Sequence, residues 1–345
     1  MDQTPAQPAA VVCSTFDEVL HVAETCAADP RIGAEIKELY IDIPWMFEGP
    51  SGEESNMEED APDALEAKRL PHRFLDTLVN LEVLFVVGIS CIASAALDAA
   101  RAPRRFRRLH TLHLHSEFEG ITDPFHASHF ATLTHFPHLR QVSLFVEWCI
   151  DSMDRQLDPL PALPPLPNIT TLALHGPLSR KPSSTSLLSV FPSFTSLLHL
   201  TLRDTYVAPD SSWSAILLAA LPNPPLLRSL SFHREWHKEP HDISGALPFF
   251  RNLRHVGIGG VGMAVKPGFF ASISVLPVTE LRFGPDVKGL STADLSRLVK
   301  ADRPPLQRIV LDNLTDDSVW SHRFSPGGLQ TLVRAARKEG IEVKF

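Results

Sequence analysis

The chain of 345 residues carries 32 Lys and Arg against 40 Asp and Glu, a net charge of −8, and is 44% hydrophobic. That balance gives no general attraction to nucleic acid or to an anionic membrane surface, and no apolar run approaches the roughly 18 residues a bilayer-spanning helix needs. Cys13, Cys26, Cys91 and Cys149 show neither C-x-x-C nor zinc spacing, and MDQTPAQPAAVVCSTF lacks the basic start and apolar core of a secretory signal, so a reducing compartment, cytoplasmic or nuclear, is expected.

In chain order, residues 1–13 read as a disordered N-terminus. Residues 16–28 (FDEVLHVAETCAA) follow as an amphipathic helix with Phe16, Val19, Leu20, Ala23 and Ala27 on one face, suited to cap a stack. After it a three-point apolar comb, Φ-x-x-Φ-x-Φ, begins at Ile36, Leu39 and Ile41 and occurs ten times in all. Its central teeth, Leu39, Leu84, Leu112, Val142, Leu172, Leu200, Leu230, Val256, Leu281 and Ile309, stand 45, 28, 30, 30, 28, 30, 26, 25 and 28 residues apart. All thirty teeth are apolar where composition alone would leave about thirteen. The second and third teeth, two residues apart, share one face of a short strand, and one such strand cannot bury that face without a neighbour. A period near 28 residues built on this unit is the signature of a leucine-rich-repeat (LRR) solenoid.

The expected fold is therefore an α/β horseshoe, with a parallel sheet on the concave face and helices or irregular turns on the convex face. Residues 125–136, 184–191, 211–221, 267–276, 292–300 and 326–339 read as convex helices, each with apolar spacing of three and four. The first long interval holds residues 48–64, part of a stretch with eight acidic and no basic side chains, which reads as a disordered loop. Residues 158–167 (DPLPALPPLP) read as an extended connector. Residues 14–345 form one repeat domain of about ten repeats, closed by a helix carrying Leu329, Leu332, Val333 and Ala336 and a last strand through Ile341 and Val343.

Motifs of chemistry are few. Gly257-Ile-Gly259-Gly260-Val-Gly262 fits a dinucleotide fingerprint in spelling, but Pro267 and Gly268 interrupt the helix such a fold needs, so the glycines read as a tight turn. Among sixteen histidines, His113 and His115 share a strand face without a third ligand nearby, and no metal site is expected. No nucleophile elbow, P-loop or H-E-x-x-H occurs, so no catalytic residue, no cofactor and no enzymatic activity is expected. The alternatives are an enzyme with a dispersed active site, or a nucleic-acid or phosphate binder acting through the five arginines from Arg101 to Arg108.

Side chains between the teeth project onto the concave face. Phe85, His113, His115, Phe145, His175, Arg203, His233 and Arg282 compose an aromatic and cationic patch there, suited to an unknown protein or peptide partner rather than to a membrane or nucleic acid.

The segment TFDEVLHVAETCAADPRIGAEIKELYI, the repeat openings FRRLHTLHL, FPHLRQVSL, LPNITTLAL and FRNLRHVGI, and the close RKEGIEVKF together resemble the repeat part of the fungal F-box and leucine-rich-repeat proteins. The resemblance places Pro30 and Ile32 in a short loop between the first helix and the first strand. It implies a non-enzymatic, substrate-binding solenoid of the kind that serves ubiquitin ligases, with a ligase adaptor as partner only if an F-box is supplied elsewhere, since no F-box stands among these residues. The asparagine such repeats carry eight positions after the first tooth is replaced in every repeat, by Pro44, Glu117 and Leu314 for example, which implies irregular convex turns.

Overall fold

The computed structural model describes residues 10–43, 74–88, 106–115, 129–145, 164–175, 191–203, 214, 217–218, 221–233, 243–260, 263–300, 305–312, 324 and 326–345. The acidic stretch 48–64, the expected helix at 184–190, most of that at 211–220, Arg101 to Arg105 and the start of the proline-rich connector lie outside these residues. The chain gathers into two compact units, Met1–Asp154 and Arg155–Phe345, divided just ahead of the proline-rich stretch.

The first unit stacks five parallel strands in chain order: β1 (Ala10–Cys13), β2 (Glu38–Asp42), β3 (Val83–Val87), β4 (Thr111–His115) and β5 (Gln141–Phe145). The second stacks seven in the same way: β6 (Thr171–His175), β7 (His199–Arg203), β8 (Ser229–His233), β9 (His255–Gly259), β10 (Glu280–Phe283), β11 (Arg308–Leu311) and β12 (Glu342–Lys344). Strand order that follows chain order, with one strand per repeat, is the LRR solenoid architecture. The register pairs tooth with tooth, Leu172 with Leu200, Leu230, Val256, Leu281, Ile309 and Val343 in turn. None of the thirty teeth is more than 7% exposed, so one face of each strand is core and the other open. The stack also begins earlier than expected: Ala10–Cys13, assigned above to a disordered end, pairs with β2 and adds the buried Cys13 to the core.

The comb is longer than three teeth. A buried residue three positions upstream of the first tooth, Leu78, Phe106, Phe136, Leu166, Phe194 or Phe250, extends it in six repeats. In five of them, Phe194 excepted, its carbonyl accepts the first tooth's N–H at 2.9–3.3 Å. Another step of three adds Leu75, Leu133, Phe191 and Leu247. Side chains three apart eclipse on a 3₁₀ turn, so these turns deliver a buried column directly into the strand. Phe106 is the one described non-glycine residue with positive φ, 50°, a conformation held by full burial against Phe136, whose ring centroid lies 6.2 Å away.

The helix α1 (Phe16–Ala28) begins with a capping box: Glu18 N–H donates to Thr15 Oγ1 at 3.3 Å and Thr15 N–H to the Glu18 carboxylate at 3.2 Å. It buries Val19, Ala23 and Cys26, whereas Ala27, placed above on the apolar face, is exposed. Pro30 and Ile32 belong to a second helix, α2 (Pro30–Glu35), rather than a loop, because Asp29 caps it and Pro30 occupies its first turn, where a missing N–H costs nothing. In the second unit α3 (Pro267–Ile273) and α4 (Thr292–Lys300) follow β9 and β10, and α5 (Pro326–Lys338) packs against α4 and β12.

Asparagines reappear at a place the repeat pattern did not suggest. Asn80, Asn223 and Asn252 donate through Nδ2 to the backbone oxygens of Ala34, Thr195 and Pro225 at 2.7–2.8 Å, each reaching the lead-in turn of the preceding repeat.

Urea denaturation should show Leu200→Ala losing about 2–5 kcal/mol and Phe250→Ala about 3–5 kcal/mol. Thr201→Ala, on the open face beside Leu200, should lose less than about 0.5 kcal/mol. Equal losses at positions 200 and 201 would contradict the register.

Candidate binding face

Alternation along each strand sends the residues flanking the central tooth to the open face. The register then sorts them into columns that run from strand to strand.

In the first unit the middle column reads Tyr40, Phe85, His113 and Ser143. Phe85 stacks on His113 with ring centroids 4.1 Å apart and planes 10° apart, and Tyr40 lies against the other side of Phe85 at 6.0 Å. His113 meets His115 edge to face at 6.2 Å, and Nε2 of His115 is shielded from solvent. Tyr40 donates its hydroxyl proton to Glu38 at 3.0 Å, which pushes the Tyr40 phenol up. Phe85, His113 and His115 thus form one ladder of rings, half-buried rather than exposed. Burial, with the second imidazole adding to it, pushes the His113 pKa down to about 4, so this ring stays neutral near pH 7 and contributes aromatic area rather than charge.

In the second unit the middle column is small: Ala173, Thr201, Ser231 and Gly257. Beside it, His175, Arg203 and His233 stand in register on β6, β7 and β8. The next position is Gly259, and a Cβ there would collide with Nδ1 of His233, so the imidazole occupies the space that a side chain on β9 would fill. On Gly257 a Cβ would lie 2.7 Å from Ser231 Oγ. Gly257 and Gly259 therefore serve strand packing, and Gly260 takes the positive φ of 85° that ends β9. Arg282 stands apart from this group: its guanidinium donates to Asp312 at 2.7 Å. Arg308 bridges Glu280 at 3.1 Å and Glu342 at 2.8 Å in a neighbouring column, so β10–β12 carry paired charge. The Phe145 backbone ends β5, but its side chain lies outside what the structure describes.

The remaining column begins each strand. There His199 and His255 flank Ser229, and burial, reinforced by the positive charges of His255 and Arg228, lowers the His199 pKa. Among the described residues no group of three or more His, Cys, Asp or Glu is placed to hold a metal ion, and no helix is long and apolar enough to cross a membrane. Of the arginine run, Arg107 and Arg108 are described, and both are exposed.

No protein-family model and no curated protein matches the chain. Among solved structures, an LRR protein of Leptospira interrogans is similar over 92% of this chain and 85% of that one, at 12% identity and a TM-score of 0.32. The LRR fold is read from the chain's own repeats: parallel strands in chain order, teeth in register.

The His113 shift carries a stability consequence. An imidazole with a depressed native pKa contributes stability that is complete above the unfolded value near 6.5 and is lost as pH falls toward about 4, because the unfolded chain takes up the proton first. Wild-type protein should therefore lose more stability between pH 7 and pH 5 than His113→Gln, a difference measurable by urea denaturation at the two pH values. Identical losses would show that His113 titrates normally.

Proposed function

We propose that this chain is a non-enzymatic protein-binding module that presents the open face of its sheet to a partner. The observation that carries this reading is the column order: aromatic, imidazole and guanidinium side chains stand in strand register on one face of the strands, while the opposite face holds the core. Groups of this kind repay desolvation at an interface better than flexible lysines or single carboxylates do.

The resemblance of the repeat openings to fungal F-box and LRR proteins supports a narrower form, recognition of substrates for ubiquitin ligation. On that form a ligase adaptor joins the assembly only through an F-box supplied elsewhere. A reducing compartment, cytoplasmic or nuclear, suits this role and the buried free thiols Cys13 and Cys26.

The test is affinity capture with the full chain, followed by binding measurements on each captured protein. Arg203→Glu and Phe85→Ala should weaken a true partner by about tenfold at a temperature where each variant remains folded. Arg337→Ala, at an exposed position of α5, should leave binding intact. Loss with the α5 control and none with the open-face changes would place the partner elsewhere. Recovery of a ligase adaptor alongside a substrate would support the narrower form.

A further inference from the structure

The margin of the second unit where the chain enters β7, β8 and β9 has a chemistry of its own. Arg228 and Arg254 each stand one residue ahead of a strand, and the Arg254 N–H donates to the Arg228 carbonyl at 2.8 Å, which makes the two residues neighbours. Both side chains are exposed, and among the described residues neither meets a carboxylate at ion-pair distance. His199 and His255 lie beside them on β7 and β9, within the same positive field.

No strand position from β6 to β9 carries an acid, and the first to appear, Glu280 on β10, is taken up by Arg308. This is unusual ground in a chain whose net charge is −8. Screening over a Debye length of about 8 Å separates the local field from that overall charge.

The same margin is apolar at its outer rim. Leu226 is 42% exposed and Phe249 53% exposed, although both are large hydrophobic side chains. They sit on the 3₁₀ turns preceding β8 and β9, which are held together by the Asn252 Nδ2 donation to the Pro225 oxygen at 2.7 Å. The exposed apolar side chains gain by leaving water, and the two guanidiniums offer bidentate donors to carboxylates.

We propose that this margin, formed by Leu226, Arg228, Phe249 and Arg254 with His199 and His255, docks a short acidic segment of the partner protein. Its carboxylates meet the two guanidiniums, and its apolar side chains cover Leu226 and Phe249. The inference rests on the protein-binding reading above and names the partner's chemistry. A nucleic acid fits less well: the margin holds no lysine and too few cations to neutralise a run of phosphates.

The test uses the full chain and fluorescence anisotropy with a labelled Asp-Leu-Glu-Glu-Leu-Asp peptide, its Asn-Leu-Gln-Gln-Leu-Asn counterpart, and a short oligothymidylate. The acidic peptide should bind at least about tenfold more tightly than the amide form, and Arg228→Glu or Arg254→Glu should each weaken it by about tenfold. Phe249→Ser should weaken it severalfold, and Arg337→Glu, the same charge change on α5, should leave it unchanged. Equal binding of acid and amide peptides, equal weakening by Arg337→Glu and Arg254→Glu, or tighter binding of the oligothymidylate would each overturn the proposal. Natural partners separate the two levels: capture lost with Arg203→Glu or Phe85→Ala but unaffected by the Arg228 and Arg254 changes defeats this margin alone. Capture indifferent to every open-face and margin variant defeats the protein-binding reading itself.

Discussion

The constraint on which both units depend is a carbonyl shared by two successive N–H groups of the following repeat. Lys37 oxygen accepts from Glu82 and Val83 at 2.6 and 3.1 Å, Thr170 oxygen from Leu198 and His199 at 2.8 and 3.0 Å, and Arg254 oxygen from Thr279 and Glu280 at 2.7 and 3.0 Å. Two consecutive donors on one acceptor fix where each strand starts relative to its predecessor. A slip by one residue would send every tooth to the open face, so this local clamp and the apolar comb enforce the same register. Whatever lies between clamps is free to vary, which is why intervals between 25 and 45 residues coexist in one chain.

Legibility followed that division. The teeth, the strands they sit on and the face they bury were readable, because a spacing of two and a period near 28 both appear directly in the letters. The upstream columns through Phe250 and Leu247 were harder to see, since a spacing of three belongs to a 3₁₀ turn and matches neither strand nor α-helix. The resemblance implies a short loop at Pro30 and Ile32, but Pro30 stands in the first turn of α2, where proline is at home. β1 escaped notice because Pro8 stands where the first tooth of its comb would be, and only its pairing with β2 declares it. The asparagine bonds were missed by looking after the strands when Asn80, Asn223 and Asn252 lie before them.

The open face was legible in membership and not in behaviour. Alternation places Phe85, His113, Arg203 and Arg282 there, but what each does depends on the neighbour one repeat away. His113 is set by Phe85 across β3 and β4, and Arg282 by Asp312, a residue 30 positions on. By columns, Glu280, Arg308 and Glu342 fall into line as an alternating charge ladder, and Arg228 and Arg254 stand as neighbours ahead of β8 and β9. In a solenoid the useful unit of reading is the column, because it lists spatial neighbours that sequence distance conceals.

One feature of the first unit reaches beyond binding. All four cysteines of the chain precede residue 155, and Cys13 and Cys26 are buried, with burial and nearby Glu18 pushing the Cys13 thiol up to about 11. A thiol so protected forms little reactive thiolate until the structure around it opens. Alkylation of Cys13 and Cys26, followed peptide by peptide, therefore works as a built-in clock for the breathing of Met1–Asp154.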